Sequence, residues 1–339
     1  MRAIVLHSPG DIRLEDRPKP QAGPDEVVVR VRSVGVCGSD WARMLIKGAH
    51  KMPLITGHEF SGEIVELGPS VTGWEAGELV AIPPLLPCRE CDQCKTGNFS
   101  RCRNYDYFGS RRDGAYAEFV AVPVGNLLKV PQNSDPRAIA MVDPASIALH
   151  SLWKAGGMTV GQTGAVVGCG PIGLYVIQWM RLMGASDVIA VDVSKDKLDL
   201  ATEAGATSGL YTQKVLETKK RADVVVEAVG IDATINAAVS LGGPGAHLSF
   251  IGIPVSPVTF DNATFQTFLR QELSLHGSWN SFGAPFPGKQ WSETVAALSD
   301  GRLRWEFLIS HDLDLSELPG IFDAYRAGKL TYSKVVFRP

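Results

Sequence analysis

This chain of 339 residues lacks long apolar runs, an excess of charge of one sign and repeated segments. It has 33 basic and 36 acidic residues, so the formal net charge is −3. This near balance gives no electrostatic reason to expect nucleic acid or an anionic membrane as a partner. The apolar run at residues 3–6 is too short for a signal peptide, and no later run approaches the length of a membrane span. We therefore expect a cytoplasmic protein that binds neither nucleic acid nor membranes.

Cysteine is also scarce, and its distribution argues against a disulfide framework. Of the six cysteines, four lie close together, at Cys88, Cys91, Cys94 and Cys102. Four thiolates complete the tetrahedral shell of a zinc ion and leave no position for a substrate. Unligated thiols are the alternative, but four cysteines in one short polar loop have no packing rationale. The spacing therefore predicts a structural zinc site in a reducing compartment.

The chain contains two kinds of pattern. Short β-like runs punctuated by glycine and proline lie at residues 3–6, 26–31, 61–67, 79–82 and 117–122. They predict a mostly antiparallel β domain. Farther along, strand candidates that alternate with helical segments lie at 165–167, 188–191, 223–227, 247–251 and 274–277. That alternation is typical of a doubly wound parallel sheet.

The final part of the chain returns to mixed structure. Helices are expected at residues 291–298 and 315–326, and a last strand at 333–337 is expected to rejoin the first domain. The predicted fold is α/β with two domains. Residues 1–144 and 282–339 form the β-rich domain, and residues 145–281 form the parallel-sheet domain.

A glycine-rich turn, Gly168-Cys169-Gly170-Pro171-Ile172-Gly173, opens the parallel-sheet domain. In a dinucleotide-binding turn Gly168 permits the tight bend, Gly170 lets a pyrophosphate approach, and Gly173 lets the helix pack on the strand. Glycine-rich turns that bind nothing are common, so the motif depends on its context. The preceding apolar strand and the following helical segment supply that context.

Asp192 ends the next strand, where this kind of fold places an acid for the ribose hydroxyls. A 2′-phosphate would meet this carboxylate as a like charge, which favours NAD over NADP. The alternative role for Asp192 is to cap the helix that starts near Lys195. We therefore predict NAD binding through the glycine turn, including Pro171 and Ile172, and through Asp192.

A second, sparser set of metal-ligand residues is Cys37, His58, Glu59 and Asp143. Cys37, His58 and a carboxylate would supply three protein ligands and leave a fourth position to water or substrate, as catalytic zinc requires. Each residue also has an ordinary explanation. Cys37 fits a buried small residue, His58-Glu59 a surface pair, and Asp143 the residue before a proline turn.

Gly57-His58-Glu59-Phe60-Ser61-Gly62, the four-cysteine loop and the glycine turn together resemble the zinc-containing medium-chain dehydrogenase/reductase family, over essentially the whole chain. The resemblance implies a GroES-like catalytic domain, a Rossmann domain, NAD, two zinc ions per chain and a homodimer or homotetramer. Longer blocks resemble the members that act on a polyol phosphate. These blocks are residues 37–40, 48–50, 84–88, 105–114 and 277–280.

The resemblance also implies roles for single residues. Cys37, His58 and Asp143 match the catalytic zinc ligands, with Glu59 as an alternate or outer ligand. Asp143 stands where the family usually has a glutamate, so its shorter side chain leaves more of the coordination to Glu59. Asp40 matches the position that orients the ligand imidazole.

The candidate catalytic residues are Ser39, Glu59 and His50. Ser39 follows the ligand cysteine closely and is expected to relay the alcohol proton, with a helix cap as the alternative. Lys197 matches a lysine of the family that contacts the ribose, and a solvated helix lysine is its alternative. Basic residues that could receive a substrate phosphate are Arg43, Lys47, His50, Lys51, Arg111 and Arg112, with His50, Arg111 and Arg112 preferred.

The expected function is a zinc-dependent, NAD-linked oxidation of a secondary alcohol of a polyol phosphate to the ketone, with galactitol 1-phosphate as substrate and tagatose 6-phosphate as product. One alternative is a general polyol dehydrogenase of the sorbitol or xylitol type. The other is a nucleotide-binding regulator that has lost catalysis. Two zinc ions per chain favour the enzyme, and one favours the regulator.

Overall fold

The computed structural model describes residues 1–254 and 256–339, which form two compact units. The first unit comprises Met1–Asp143, Phe282–Gly301 and Ile309–Pro339, and the second comprises Pro144–Ser281 and Arg302–Leu308. The sequence pattern places residues 302–308 in the first domain. In the structure, two hydrogen bonds between the backbone of Arg304 and the side-chain amide of Gln178 tie this segment to the second unit.

The first unit begins with short strands and helices of about one turn. Its first ten strands are β1 (Arg2–Ser8), β2 (Asp11–Asp16), β3 (Glu26–Gly35), β4 (Leu54–Ile55), β5 (Glu59–Leu67), β6 (Leu79–Ala81), β7 (Leu85–Leu86), β8 (Asp106–Tyr107), β9 (Phe119–Pro123) and β10 (Leu128–Lys129). The helices are α1 (Gly38–Ala42), α2 (Asp92–Lys95) and α3 (Pro136–Ala140). The five predicted β-like runs overlap β1, β3, β5, β6 and β9.

The second unit alternates strands with helices. Its strands are β11 (Thr163–Val167), β12 (Asp187–Asp192), β13 (Ser208–Tyr211), β14 (Ala222–Glu227), β15 (Gly242–Phe250) and β16 (Ser274–Gly277). Its helices are α4 (Val142–Lys154), which starts at the end of the first unit, α5 (Pro171–Leu182), α6 (Lys195–Glu203), α7 (Asp232–Leu241) and α8 (Asn262–Arg270). The strands pair in parallel in the order β13-β12-β11-β14-β15-β16, which confirms the predicted doubly wound sheet.

The distribution of apolar residues explains this sheet and why β13, alone among its six strands, is not predicted from the sequence. Val166, Ala190 and Val225 in its central strands are fully buried, as expected for parallel strands covered on both faces. β13 lies at the edge, and its residues are either partly buried or exposed. Because Ser208-Gly209-Leu210-Tyr211 contains no apolar run, periodicity alone does not identify it as a strand.

The chain then returns to the first unit through α9 (Lys289–Ser299), β17 (Ile309–Asp314), α10 (Leu318–Arg326) and β18 (Lys334–Arg338). The last strand β18 pairs with β3, with Val336 opposite Gly35 and Phe337 opposite Val34. β3 also pairs with β5, where Gly35 lies opposite Glu59. The C-terminal strand is therefore brought to the end of the sheet at which β5 begins.

Three sheets organise the first unit. The largest has the order β10-β6-β5-β3-β18-β17, with β9 also paired to β3, and two smaller sheets have the orders β2-β1-β4 and β7-β8. Apart from the parallel β17–β18 pair, the pairings are antiparallel. In β3 the exposed Arg30 and Arg32 alternate with the buried Val29 and Val31, as side chains of a strand covered on one face do.

Among the residues that the structure describes, no helix has the length and apolar character needed to span a membrane.

Candidate active site and metal centres

Cys37, His58 and Glu59 meet at one end of the large sheet of the first unit. Their metal-binding atoms all lie within 4.8 Å of one another. Glu59 opens β5 directly opposite Gly35 at the end of β3, and Cys37 follows two residues later as the N-cap of α1. The register of two strands therefore joins residues that are far apart in sequence. One thiolate, one imidazole and one carboxylate form a donor set that suits zinc and leaves a coordination position open.

Asp40 lies beside the imidazole of His58, next to its Nδ1. Its fully buried carboxylate lies 3.4 Å from His58 Nδ1 and accepts hydrogen bonds from the Tyr116 hydroxyl (2.9 Å) and the Cys37 backbone N–H (3.1 Å). Arg43 donates to the same carboxylate at 2.5 Å. Burial raises the pKa of Asp40, but His58, Arg43 and the Cys37 N–H outweigh it and hold that pKa well below its usual range. Because Nδ1 faces Asp40, Nε2 is the nitrogen left for a metal.

Lys334 is a partner of this site that sequence reasoning missed. Its buried ammonium donates to Glu59 Oε2 and, at 2.9 Å, to the backbone carbonyl of Val36. No motif links Lys334 to Glu59, since 275 positions separate them. The expected return of the last strand to the first domain was the one available signal. Lys334 neutralises a buried carboxylate and leaves the other oxygen of Glu59 for a metal.

Asp143 lies beside this group and is not a member of it. It sits in the first turn of α4, is 5% exposed and interacts electrostatically with His58, Glu59 and Lys334. Burial, reinforced by the charge of Glu59, raises the pKa of Asp143 to about 7. The structure thus brings Asp143 next to the three residues without placing its carboxylate among their ligand atoms.

Ser39 lies inside α1, and its hydroxyl donates to the Cys37 sulfur at 3.4 Å. The alternative role as a helix cap is wrong, because the cap position belongs to Cys37. The serine hydroxyl is half-buried and directly adjacent to a candidate metal ligand. Both properties are needed of a group that accepts a proton at a metal-bound alcohol.

The four-cysteine loop forms the second cluster. The sulfurs of Cys88, Cys91, Cys94 and Cys102 all lie within 4.8 Å of one another, with Cys88–Cys102 at 3.4 Å and Cys88–Cys94 at 3.9 Å. Four sulfurs around one tetrahedral zinc would be separated by about 3.8 Å. The loop therefore fits a closed zinc site.

The surroundings of these thiols shift their pKa values in different directions. N–H groups of Arg103 and Cys94 point at the Cys91 sulfur and lower the pKa of Cys91 to about 6. Burial raises the pKa of Cys94 to about 12. On the exposed surface of the loop, the guanidinium of Arg103 forms a two-armed ion pair with Asp92, at 2.6 and 2.8 Å.

The glycine turn has the geometry expected of a dinucleotide site. Gly168 has a φ of +99°, which only glycine adopts readily, and a Cβ on Gly173 would lie 1.9 Å from the Gly168 carbonyl oxygen. Gly170 is the N-cap of α5, and a Cβ there would meet nothing within 4 Å. Pro171 and Ile172 begin the helix and are partly exposed. The open space at a helix N-terminus suits a pyrophosphate.

Asp192 faces this turn from the end of β12. Its carboxylate accepts hydrogen bonds from the backbone N–H groups of Cys169 (2.9 Å), Val193 (2.8 Å) and Ser194 (3.0 Å). The alternative of a helix cap is wrong, since the N-cap of α6 is Ser194. Lys197 lies in the first turn of α6, close enough to Cys169 to influence its thiol electrostatically.

The basic residues considered for a phosphate lie in different environments. Arg43 is paired with Asp40, whereas Lys47, His50 and Lys51 are exposed. The His50 backbone N–H donates to the Ser110 carbonyl oxygen at 3.0 Å, which holds its loop against the turn that carries Arg111 and Arg112.

The two neighbouring arginines point to different surroundings. Arg112 lies 3.5 Å from Glu26 and 3.7 Å from Asp106, and it lines a cavity of about 440 Å³ that no candidate metal ligand lines. Arg111 instead lies over the ring of Tyr105.

Comparisons with known proteins agree with this architecture. Residues 23–132 match the model of the alcohol dehydrogenase GroES-like domain, and residues 171–300 match that of the zinc-binding dehydrogenases. Galactitol 1-phosphate 5-dehydrogenase of Escherichia coli K12 is 36% identical over 92% of both chains. A probable D-xylulose reductase A of Aspergillus fumigatus is 30% identical over 96% of this chain and 94% of that one.

Solved structures extend the likeness to the fold. The crystal structure of galactitol-1-phosphate dehydrogenase from Escherichia coli has a TM-score of 0.94 and 33% identity, and all of both chains is covered. A zinc-binding dehydrogenase from Sinorhizobium meliloti bound to NADP (TM-score 0.91, 29% identity) and an Escherichia coli alcohol dehydrogenase complexed with NADH (0.89, 26%) cover all of this chain and 99% of theirs.

These matches confirm the predicted GroES-like and Rossmann folds and the oxidoreductase class. The regulator alternative has no support among the relatives named here, which are all dehydrogenases or reductases. The chain belongs to the zinc-containing medium-chain dehydrogenase/reductase family.

Proposed function

We propose that the protein oxidises a secondary alcohol of galactitol 1-phosphate to the ketone, giving tagatose 6-phosphate, with NAD as the oxidant. The observation that carries the proposal is the grouping of Cys37, His58 and Glu59, three donors that would leave one coordination position of a zinc ion to the substrate. The substrate is supported by the 36% identity to galactitol 1-phosphate 5-dehydrogenase. The second candidate, a general polyol dehydrogenase, is favoured by the 30% identity to a D-xylulose reductase.

Cys37, His58 and Glu59 would hold the catalytic zinc. Asp143 lies outside this group but interacts electrostatically with His58 and Glu59, which supports a role beside the metal rather than as a ligand. A zinc ion held there would polarise the substrate hydroxyl and lower its pKa, and NAD would accept the hydride from the carbon that bears this hydroxyl. Asp40 fixes the His58 ring, and Lys334 balances the charge of Glu59. Ser39 receives the hydroxyl proton at its Oγ and passes it on toward solvent.

The second zinc would occupy the closed loop of Cys88, Cys91, Cys94 and Cys102 and have a structural role. Reduced thiols are needed for both zinc sites, which supports the expectation of a reducing, cytoplasmic compartment.

NAD would bind at the glycine turn, with its pyrophosphate over Gly170 and its adenosine ribose on Asp192, near Lys197. Replacing Asp192 with serine should narrow the preference for NAD over NADP by roughly 1.5–3 kcal/mol, because a charged hydrogen bond is lost and a like-charge repulsion is removed. The ratio of kcat/KM for the two cofactors measures this. Lys195→Ala, at an exposed residue that begins α6 three positions later, is the control. Equal use of both cofactors by the wild type would refute the choice of NAD.

A homodimer or homotetramer is proposed on two features of the second unit. Among the described strands, β16 ends the sheet with one edge unpaired, and such edges readily pair with another chain. Large apolar side chains are exposed nearby in sequence, with Phe265 at 47%, Leu269 at 57% and Trp279 at 50%. Light scattering after size exclusion tests this, and a monomer at micromolar concentration would contradict it.

The deciding experiment is a substrate panel with NAD. It compares kcat/KM for galactitol 1-phosphate, galactitol, sorbitol and xylitol, on protein whose zinc content has been measured. We expect two zinc ions per chain and a clear preference for the phosphate ester. Equal efficiency with galactitol or sorbitol would instead establish the general polyol dehydrogenase.

A further inference from the structure

A row of side-chain contacts leads from His58 to Arg111 within the first unit. The ring of Tyr107 meets the imidazole of His58 edge-on at 5.6 Å, and Tyr105 packs against Tyr107 at 6.2 Å. The guanidinium of Arg111 lies over the Tyr105 ring, 4.6 Å from its centre. The Arg111 backbone N–H donates to the Tyr107 carbonyl oxygen at 3.0 Å, so the turn after β8 folds back on the strand. The row thus joins a candidate zinc ligand to a single cation.

The charge of Arg111 is not balanced by any carboxylate that the structure describes. Within residues 1–254 and 256–339, no carboxylate lies at ion-pair distance from it, and its Nε is buried without a hydrogen-bond partner. The neighbouring Arg112 lies beside Glu26 and Asp106, and Arg43 is paired with Asp40. Withdrawing part of a guanidinium from water without an anion costs free energy, which a bound anion would recover.

A phosphate ester is the anion that this arrangement suits. A guanidinium presents two parallel N–H groups to two phosphate oxygens, and stacking on Tyr105 holds its plane in place. The relative with 36% identity is a 5-dehydrogenase of a 1-phosphate, so its reacting carbon and its phosphate lie at opposite parts of one molecule. The open metal site and Arg111 likewise lie at opposite ends of the Tyr107–Tyr105 row.

We propose that Arg111, held flat against Tyr105, binds the phosphate group of the substrate and so determines the preference for polyol phosphates. This inference rests on the proposed function and makes it specific to one residue. It also separates Arg111 from Arg112 and from the exposed His50, which residue type and sequence position alone do not distinguish.

The test is the ratio of kcat/KM for galactitol 1-phosphate to that for galactitol. Arg111→Ala should lower this ratio roughly 10- to 150-fold, chiefly through KM for the phosphate ester, because a charged hydrogen bond is lost. Arg111→Lys keeps a point charge without the two-armed geometry, so its kcat/KM ratio should lie between those of the wild type and Arg111→Ala. Tyr105→Leu removes the ring and should lower the ratio less than Arg111→Ala does.

Arg112→Ala is the matched control, since it removes the same charge from the adjacent position, where Glu26 and Asp106 are its partners. This variant should leave the ratio of the two kcat/KM values unaltered. If the wild type prefers the phosphate ester and Arg111→Ala keeps that preference, the assignment of Arg111 is wrong and the proposed substrate stands. If the wild type shows no preference, the proposed substrate itself is wrong, and the role of Arg111 falls with it.

A binding measurement makes the test independent of turnover. In the Cys37→Ser background, calorimetric titration with galactitol 1-phosphate should give a Kd that Arg111→Ala raises by a similar factor. Inorganic phosphate should compete with the ester only when Arg111 is present. Unchanged affinity, with melting temperatures that show both variants folded, would overturn the proposal.

Discussion

The four-cysteine loop and the Cys37–His58–Glu59 group differ in how the chain assembles them. The loop takes all its sulfurs from one short stretch, and two of its cysteines are only half-buried. The Cys37–His58–Glu59 group forms only when the end of β3 and the start of β5 pair in the correct register. Its members His58 and Glu59 are 3% and 2% exposed. A site that closes on itself is set by local spacing, whereas an open site depends on the sheet around it.

Charge is managed differently in the two places as well. The ion pair beside the loop, Asp92 with Arg103, is on the surface, and both side chains are more than half exposed. The charges beside the open group, on Asp40 and Lys334, are buried and have definite partners. Buried charges are costly when they lose a partner, and exposed ones are not. The open site should therefore be sensitive to changes around its ligands, and the loop only to changes in the ligands themselves.

The largest expected effect is on turnover, from a change in the open group. Cys37→Ser or His58→Ala should lower kcat by about 1,000-fold or more, because metal-assisted stabilisation of the alkoxide contributes several kcal/mol. The chain should stay folded, since neither residue belongs to the packed centre of a core. Steady-state kinetics and melting temperature, measured on the same samples, check both parts.

Zinc content provides the control for that prediction. The variant should hold one zinc per chain, in the cysteine loop, where the wild type holds two. A Cys37→Ser protein that keeps both zinc ions and normal kcat would show that the open group is not the catalytic site.

The next effect is on stability, from a change in the loop. Cys91→Ala or Cys94→Ala should lower the free energy of unfolding by about 4 kcal/mol or more, because binding energy at a closed structural site is folding energy. Urea unfolding measures it. Cys169→Ala, at a buried cysteine outside both clusters, is the control and should keep both zinc ions. A soluble and fully stable Cys91→Ala protein would remove the structural assignment of the loop.

A third change sharpens the contrast in charge. Lys334→Met leaves the Glu59 carboxylate buried without its cation and should cost about 3–5 kcal/mol of folding stability. The double variant Glu59→Gln, Lys334→Met removes both charges and should recover much of that loss. If the stability losses of the single variants Lys334→Met and Glu59→Gln simply add in the double variant, Lys334 and Glu59 are not coupled and the pair has no role in the site.

The contrast also explains what could be predicted from the sequence. The cysteine spacing and the glycine turn are local patterns, and each identifies its residues without knowledge of the fold. Lys334 reaches Glu59 only because β18 pairs with β3, and no periodicity encodes that contact. Arg111 and Arg112 are the same residue type at adjacent positions, so the sequence does not distinguish them. In the part of the chain that the structure describes, the turn after β8 gives Arg112 carboxylate neighbours and gives Arg111 none.

Asp143 is the instructive intermediate case. Its position before Pro144 suggested a ligand, and its shorter side chain suggested a weak one. The structure places it within electrostatic range of His58 but outside the group of ligand atoms. Which atoms of a set touch a metal depends on differences of about one bond length, and these follow from backbone placement rather than from residue type.

The smallest expected effect comes from the exposed pair beside the loop, and it tests whether the loop is self-sufficient. Arg103 and Asp92 form a two-armed ion pair with short distances, a geometry typical of strong charge-assisted hydrogen bonds. Their side chains are 69% and 56% exposed, so water and salt screen the attraction. The Arg103 backbone N–H that points at the Cys91 sulfur remains in an alanine variant. Arg103→Ala should therefore keep both zinc ions and shift the melting temperature by no more than about 2 °C. Loss of zinc from the loop in this variant would show that the closed site also depends on charges around it, and the contrast between the two clusters would fail.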